Sequence, residues 1–298
     1  MTNFSYRVFS TVVSKGTFVR ASQSLNVTPS AVSHSVNQLE KDFGFPLLIR
    51  NRTGVELTED GKALLPVIQS ILNLEDQLQQ LVGNINGNNQ GKVRIGAFSS
   101  VSTNWLPGII RKFKEQFPQI AITVIQGSFN QIVDRVKQGQ IDIGFASLPV
   151  VEEVFVEPLI RDQIYCVTPK NFIPSNHVSI TDADVAQQTF ILQQIDYDRD
   201  TKRALDRYHV SQNSLNYSID DPSILAMVES GLGLGVLPQL ALKRMQGEFN
   251  VYPFEEAFYR TLCLVINPTT LKSPAVVKMK KVIEQYLSEF YSTKYLGQ

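Results

Sequence analysis

Apolar positions near the N-terminus recur at helical spacing, and the polar positions between them collect on one face. Thr28 suits a helix N-cap and Pro29 its first turn, where a missing N–H costs nothing. Val32, Val36, Leu39 and Phe43 follow at three- and four-residue intervals and predict a buried stripe. Opposite them lie Ser30, Ser33, His34, Asn37 and Lys41, mostly short uncharged groups that form hydrogen bonds. Upstream, Tyr6, Phe9 and Val12 predict a first helix ending near Gly16. Thr17 then caps a second helix, which turns Phe18, Ala21 and Leu25 inward. Only Asn26 and Val27 separate that helix from the third, the spacing of a helix-turn-helix. Residues 46–50 and 55–57 are two extended pieces around Asn51-Arg52-Thr53-Gly54, a β-hairpin or wing.

Thr58 caps the next helix, with Glu59 and Asp60 complementing its N-terminal dipole. Along it Val67, Ile71, Leu74, Leu78, Leu81 and Ile85 alternate by four and three, a heptad seam. So apolar a seam calls for a partner, either a second copy of the chain or its own C-terminal domain. Residues 83–92 have the composition of a flexible linker. Beyond them strands at 93–98, 120–125 and 141–146 alternate with helices at 103–117 and 129–138, a βαβαβ unit with a parallel sheet. Further strands are expected at 164–168, 190–193, 217–219, 234–237 and 262–266, and a terminal helix at 274–291. The fold class is α/β overall. Residues 1–58 form a winged helix-turn-helix head, 59–88 a dimerisation linker helix, and 89–298 a two-lobed α/β domain. Its lobe I spans about 92–162 and 267–298, and lobe II about 163–266.

The chain has 298 residues, too many for one core of ordinary size, which agrees with this division. No apolar run approaches membrane-spanning length, and the first residues lack a secretory pattern, so a cytoplasmic protein with no membrane partner is expected. Cys166 and Cys263 sit in apolar, strand-like runs and read as buried free thiols rather than a disulfide. A formal net charge of zero argues against a non-specific nucleic-acid binder. Residues 1–62 carry seven Lys/Arg against five Asp/Glu, a mild asymmetry that permits a DNA-binding head without establishing one. His34, His177 and His209 are scattered, and no metal-ligand spacing, phosphate loop or nucleophile elbow is present. Neither an enzyme, a metal nor a cofactor is therefore expected. The glycines at 231, 233 and 235 imitate a dinucleotide fingerprint but precede a strand instead of following one.

These elements carry a family resemblance. In the head, Gly16-Thr17-Phe18, Ala21, Leu25, Val27-Thr28, Ser30-Ala31-Val32-Ser33, Leu39-Glu40, Gly44, Leu47, Arg50, Leu57-Thr58 and Gly61 follow one another at fixed spacing. Val93-Arg94-Ile95-Gly96, Leu106-Pro107, Phe117-Pro118, Gly139-Gln140-Ile141-Asp142 and residues 231–238 continue it more loosely. The chain resembles the LysR-type transcriptional regulators over essentially its whole length. The resemblance implies a winged helix-turn-helix head, a dimerising helix, and an effector domain like the type 2 periplasmic solute-binding proteins. It further implies a cytoplasmic dimer or tetramer that reads interrupted palindromic operators in double-stranded DNA, answers to a small-molecule coinducer and acts on RNA polymerase. Ser22, Leu48, Thr53 and Pro29 depart from the family pattern. A solute-binding or sensor protein with no direct DNA role is the alternative.

For DNA, the candidate contacts are Arg20, Thr28, Pro29, Ser30, Ser33, His34, Asn37, Arg50 and Arg52. Asn37 can pair bidentately with adenine, and His34 can donate to guanine or to phosphate. Arg50 and Arg52 flank the wing and suit phosphate or the minor groove. Against this, Ser30, Ser33 and His34 are also what a solvated helix face carries, and Arg50 can pair with Glu40. For the effector, strand ends in an open α/β sheet are the expected site. Ser99, Ser100, Ser102 and Thr103 follow the first strand, Gln126 and Ser128 the second, and Ser147 the third; Gln193, Asp220 and Asp221 come from the second lobe. Hydroxyls and free N–H groups at a helix start favour a small anion. Helix capping is the competing use of the serines and of the aspartate pair.

Overall fold

Threonine side chains set the helix starts of the head in the computed structural model, which describes residues 3–52, 54–86, 90–186, 188–193, 199–210, 214–217 and 221–291. Helix α1 (Asn3–Lys15) is followed by α2 (Phe18–Leu25) and α3 (Pro29–Phe43). The Thr17 hydroxyl accepts from the Arg20 N–H at 3.2 Å, and Thr28 from Ala31 at 3.2 Å. Val8, Phe9, Val12, Ala21, Val32, Val36 and Leu39 are buried between the three helices. Strands β1 (Leu48–Asn51) and β2 (Gly54–Leu57) form the wing, paired from Leu48↔Leu57 to Asn51↔Gly54. Gly54, with φ +153°, lies so close to α1 that an added Cβ would sit 2.5 Å from the Gly16 carbonyl oxygen. Val55 donates to that same carbonyl at 3.0 Å, which pins the wing to the head.

Thr58 caps α4 (Glu59–Ile85) through the Gly61 N–H at 2.9 Å. Leu65, Ile68 and Leu72 of α4 join the core of the head, so the linker helix is packed onto it for nearly two turns. The expected flexible segment at 83–92 is too long. The helix runs on through Gly83 to Ile85, and the next strand begins at Gly91, where pairing with residues 120 and 121 extends it backwards.

The effector domain opens with β3 (Gly91–Ala97), α5 (Ser99–Asn104), α6 (Leu106–Gln116), β4 (Ile120–Gln126), α7 (Phe129–Lys137) and β5 (Ile143–Ser147). The single helix expected at 103–117 is instead two, divided at Trp105, with Pro107 in the first turn of the second. Strand β6 (Phe155–Pro169) leads into α8 (Asp182–Val185), β7 (Phe190–Gln193), α9 (Arg199–Arg207), β8 (Ser214–Tyr217) and α10 (Asp221–Glu229). Then come β9 (Leu234–Pro238), α11 (Gln239–Leu242), β10 (Phe249–Ile266) and α12 (Pro274–Phe290). The strand expected at 217–219 lies earlier, at β8, and residues 218–220 are outside the described residues.

Among the described residues, one sheet carries the effector domain's strands in the order β4-β3-β5-β10-β6-β9-β7-β8. Its two ends are parallel, β4-β3-β5 and β8-β7-β9. The antiparallel pair β6 and β10 joins them. These two strands are 15 and 18 residues long, far beyond the apolar stretches at 164–168 and 262–266. One end packs Trp105, Ile109, Phe113, Phe145 and Met279 into a core, and the other packs Ile164, Phe190, Tyr208 and Phe258. Separate cores joined by two long strands are the two lobes.

Candidate functional site

Helix α3 presents its polar stripe outward from the head. Ser30, His34 and Asn37 are exposed, Ser33 is half-buried, and Val32, Val36 and Leu39 are fully buried behind them. Pro29 and Thr28 stand exposed at the helix start, where the Thr28 hydroxyl also meets Ser30 at 3.0 Å. Arg20 is exposed on α2, and Arg50 and Arg52 are exposed on the wing. Arg50 joins wing to helix: it donates to the Asn37 side-chain oxygen and, at 3.4 Å, to Ser33, with its guanidinium 4.6 Å from the Phe18 ring centre. The expected alternative partner, Glu40, is engaged elsewhere. Its carboxylate accepts the Leu47 and Leu48 N–H groups at 2.7 and 3.0 Å and so ties α3 to the wing. Arg50 thus fixes the Asn37 amide before any ligand arrives, while the second lone pair of that oxygen stays usable.

The seam of α4 is exposed: Val67, Ile71, Leu74, Leu78, Leu81 and Ile85 all stand open, Ile85 at 84 %. The other side of the helix meets the effector domain through polar groups. Asn73 donates to the Gly139 carbonyl at 3.1 Å and accepts from Arg94 at 2.9 Å; Gln69 donates to Asn73 at 3.1 Å and accepts from Ser10 of α1 at 2.7 Å. Gln80 accepts from Ser273 and from the Ala275 N–H at 3.0 and 3.1 Å. Among the described residues no helix is long and apolar enough to cross a membrane.

In the first lobe the ends of β3, β4 and β5 lie side by side, with much of their polarity already engaged. Ser100 is buried and accepts from Arg260 at 3.2 Å. Ser102 donates to the Ala97 carbonyl at 3.5 Å and Ser147 to the Thr261 carbonyl at 3.4 Å. Ser128 caps α7 in a reciprocal box with Gln131. Ser99 is half-buried; Thr103 and Gln126 are exposed. From the second lobe, Asp221 is the first residue of α10 and is engaged in an interaction of its own. Asp220 and the Gln193 side chain lie outside the described residues.

The sequence reading missed a buried ion pair here. Arg260, on β10, is 3 % exposed and pairs with the equally buried Asp162 on β6 at 2.7 Å. Its guanidinium also lies 5.3 Å from the Phe98 ring centre and 5.8 Å from that of Phe129. The available signal was the alternation Phe258-Tyr259-Arg260-Thr261-Leu262, a strand with a charge at an inward position. Both cysteines are buried, as expected. Burial pushes the Cys263 thiol up to about 12 and the Cys166 thiol higher still, so both stay protonated and poorly nucleophilic.

Residues 5–62 match the family described as bacterial regulatory helix-turn-helix protein, lysR family, and residues 86–288 match LysR substrate binding domain. A probable HTH-type transcriptional regulator, LrrA, from Synechococcus elongatus is 28 % identical over 96 % of this chain and 98 % of its own length. The HTH-type transcriptional activator CmpR of Synechocystis is 23 % identical over 85 % of this chain and 86 % of its own. Among solved structures, a full-length OxyR variant from Pseudomonas aeruginosa is similar with a TM-score of 0.77 at 21 % identity, covering 96 % of this chain and 94 % of that one. Full-length CbnR in complex with its target DNA is similar at 0.63 and 15 % identity, over 96 % and 100 %. Two matches in the expected order, spanning the head and the effector domain, show that the chain belongs to the LysR family of bacterial helix-turn-helix transcriptional regulators.

Proposed function

We propose that the protein reads an interrupted palindromic operator as a homodimer or homotetramer and is switched by a small anionic effector between its lobes. The observation that carries the reading is the single head surface on which Ser30, Ser33, His34 and Asn37 stand beside Arg50. Short polar groups on the first half of a helix suit base edges, and flanking cations suit phosphates. Arg20, Thr28, Pro29 and Arg52 border that surface and serve the backbone. The exposed α4 seam pairs two copies, and two heads a helical turn apart read a palindrome. From there the regulator acts on RNA polymerase in the cytoplasm.

The effector rests against Ser99, Thr103 and Gln126 of the first lobe and against Gln193, Asp220 and Asp221 of the second. Ser100, Ser102, Ser128 and Ser147 shape that site through their existing bonds, and the Arg260–Asp162 pair holds Ser100 from behind. A ligand shifts the lobes only by its difference in affinity for two arrangements. Fluorescence anisotropy with duplexes from the region upstream of the protein's own gene tests the DNA role. Binding at least about a thousandfold tighter than to scrambled duplex at physiological salt is expected for a specific regulator. Equal affinity for both duplexes would refute it.

A further inference from the structure

We infer that Arg50 makes the exposed face of α3 a donor surface, so that Asn37 selects guanine over adenine, an inference that rests on the operator role proposed for the head. An asparagine in isolation suits adenine, because its amide offers one acceptor and one donor to the N6 and N7 edge. Here the amide is not isolated. Arginine carries N–H donors and no acceptor, so the atom of Asn37 that it meets must be the side-chain oxygen. The amide nitrogen, with its two N–H groups, is then the part of the side chain left to the groove.

The same guanidinium settles Ser33, one helical turn earlier on the same face. The Ser33 oxygen accepts from Arg50 at 3.4 Å, which leaves the hydroxyl proton to donate. The Phe18 ring, its centre 4.6 Å from the guanidinium, holds the arginine from the side of α2. Lys41, exposed one turn beyond Asn37, brings a further donor. Glu40, the carboxylate nearest to Asn37 in sequence, is turned to the Leu47 and Leu48 N–H groups instead.

The two purines differ at this point. Guanine shows two acceptors, N7 and O6, in the major groove, whereas adenine shows N7 beside an N6 amino donor. The second lone pair of the Asn37 oxygen stays usable, but an adenine donor reaching it approaches a full positive charge already bonded to the same atom. That bond also polarises the amide and strengthens donation from its N–H groups. Guanine meets donors alone and gains from both effects.

Selection of duplexes from a randomised library by the full-length protein tests this, followed by anisotropy on duplexes that differ at one base pair. The pair read by Asn37 is the one whose preference disappears in Asn37→Ala. There the parent should favour guanine over adenine by about fivefold or more, the lower bound for a good pair of base contacts. Arg50→Met keeps a long stem on Phe18 but donates nothing, so the amide turns over and the ratio should fall to within about twofold of unity or invert. A lost phosphate contact cancels from that ratio, because it weakens both duplexes alike. Asn37→Asp retains a partner for Arg50 but offers no N–H, and should abolish the lead of guanine. It decides the question if Arg50→Met does not fold. Adenine leading in the parent, or guanine leading undiminished in either variant, overturns the inference. So does an enriched sequence with no pair that depends on Asn37, which leaves the operator role standing. A library with no enriched sequence removes the operator role and this inference with it.

Discussion

On one side of α4, Leu74, Leu78 and Ile85 stand 54 %, 57 % and 84 % exposed, whereas on the other Gln69, Asn73 and Gln80 are buried. Ordinary globular helices do the reverse. The buried side is tolerable because its groups are hydrogen-bonded: Ser10, Gln69, Asn73 and Arg94 form one run from the head to the effector domain, and Arg94 ends it on Asp142 at 3.0 Å. Polar contacts of this kind fix register more than they add stability. Gly139 shows how close the fit is, since an added Cβ would lie 2.8 Å from the Asn73 amide nitrogen. The exposed side has no such satisfaction. Six exposed apolar side chains in heptad register on one helix have the pattern of a coiled-coil seam.

The largest effect should come from breaking the apolar side. Leu74→Asp together with Leu78→Asp places four carboxylates in a symmetric seam, costing the dimer several kcal/mol. Sedimentation should give a monomer and operator affinity should collapse, while the unfolding free energy of the monomer changes by only about 1 kcal/mol. An unchanged oligomer would show that the copies meet elsewhere. The polar side should respond oppositely. Asn73→Leu takes the partner from the Gly139 carbonyl, one Arg94 donor and the Gln69 amide, at about 1–3 kcal/mol for each group left buried and unpaired. Thermal unfolding should drop although hydrophobicity has risen. A Tm at or above that of the parent would mean that the run of hydrogen bonds contributes nothing.

The two sides also differ in how far they were legible. The seam was readable because apolar residues at intervals of four and three have few uses on a long helix. Gln69, Asn73 and Gln80 looked like ordinary solvated positions, since polarity on a helix does not say whether water or protein will satisfy it. Val93-Arg94-Ile95-Gly96 and Gly139-Gln140-Ile141-Asp142 were legible as strand starts and as resemblance, but not as partners; Arg94 and Asp142 meet, and Gly139 receives the linker helix. In the head, caps at Thr17, Thr28 and Thr58 and the buried stripe of α3 were legible from local rules alone. The strand ends of the effector domain were found, but their partners were not. Arg260 and Asp162 lie far apart in sequence on two strands whose middles are polar, so neither periodicity nor composition brings them together.

Helix α3 follows the usual rule, apolar side buried and polar side exposed, and so provides the third case against which the sides of α4 are measured. If its polarity serves base reading, Asn37→Ala should cost about 1–3 kcal/mol on the cognate site and relax preference at one base. Part of any loss reflects release of Arg50, which now donates to the Asn37 oxygen and to Ser33. Arg50→Ala frees the amide without removing it, and because Arg50 itself suits phosphate, its own loss should fall on cognate and random duplexes alike, unlike a base-reading loss. Equal losses for Asn37→Ala on cognate and random duplexes would leave the stripe as a solvated face.

The smallest effect belongs to Arg52, exposed at the wing turn. Removing one phosphate contact lowers the salt slope of binding by about 1 and weakens cognate and random sites alike. Measured across a range of salt concentrations, Arg52→Ala should therefore run nearly parallel for the two duplexes, with both lines flatter than the parent. An unchanged slope removes the phosphate role. A loss confined to the cognate duplex instead makes Arg52 a reader of groove shape, because a minor-groove arginine senses groove width where a phosphate contact senses only charge.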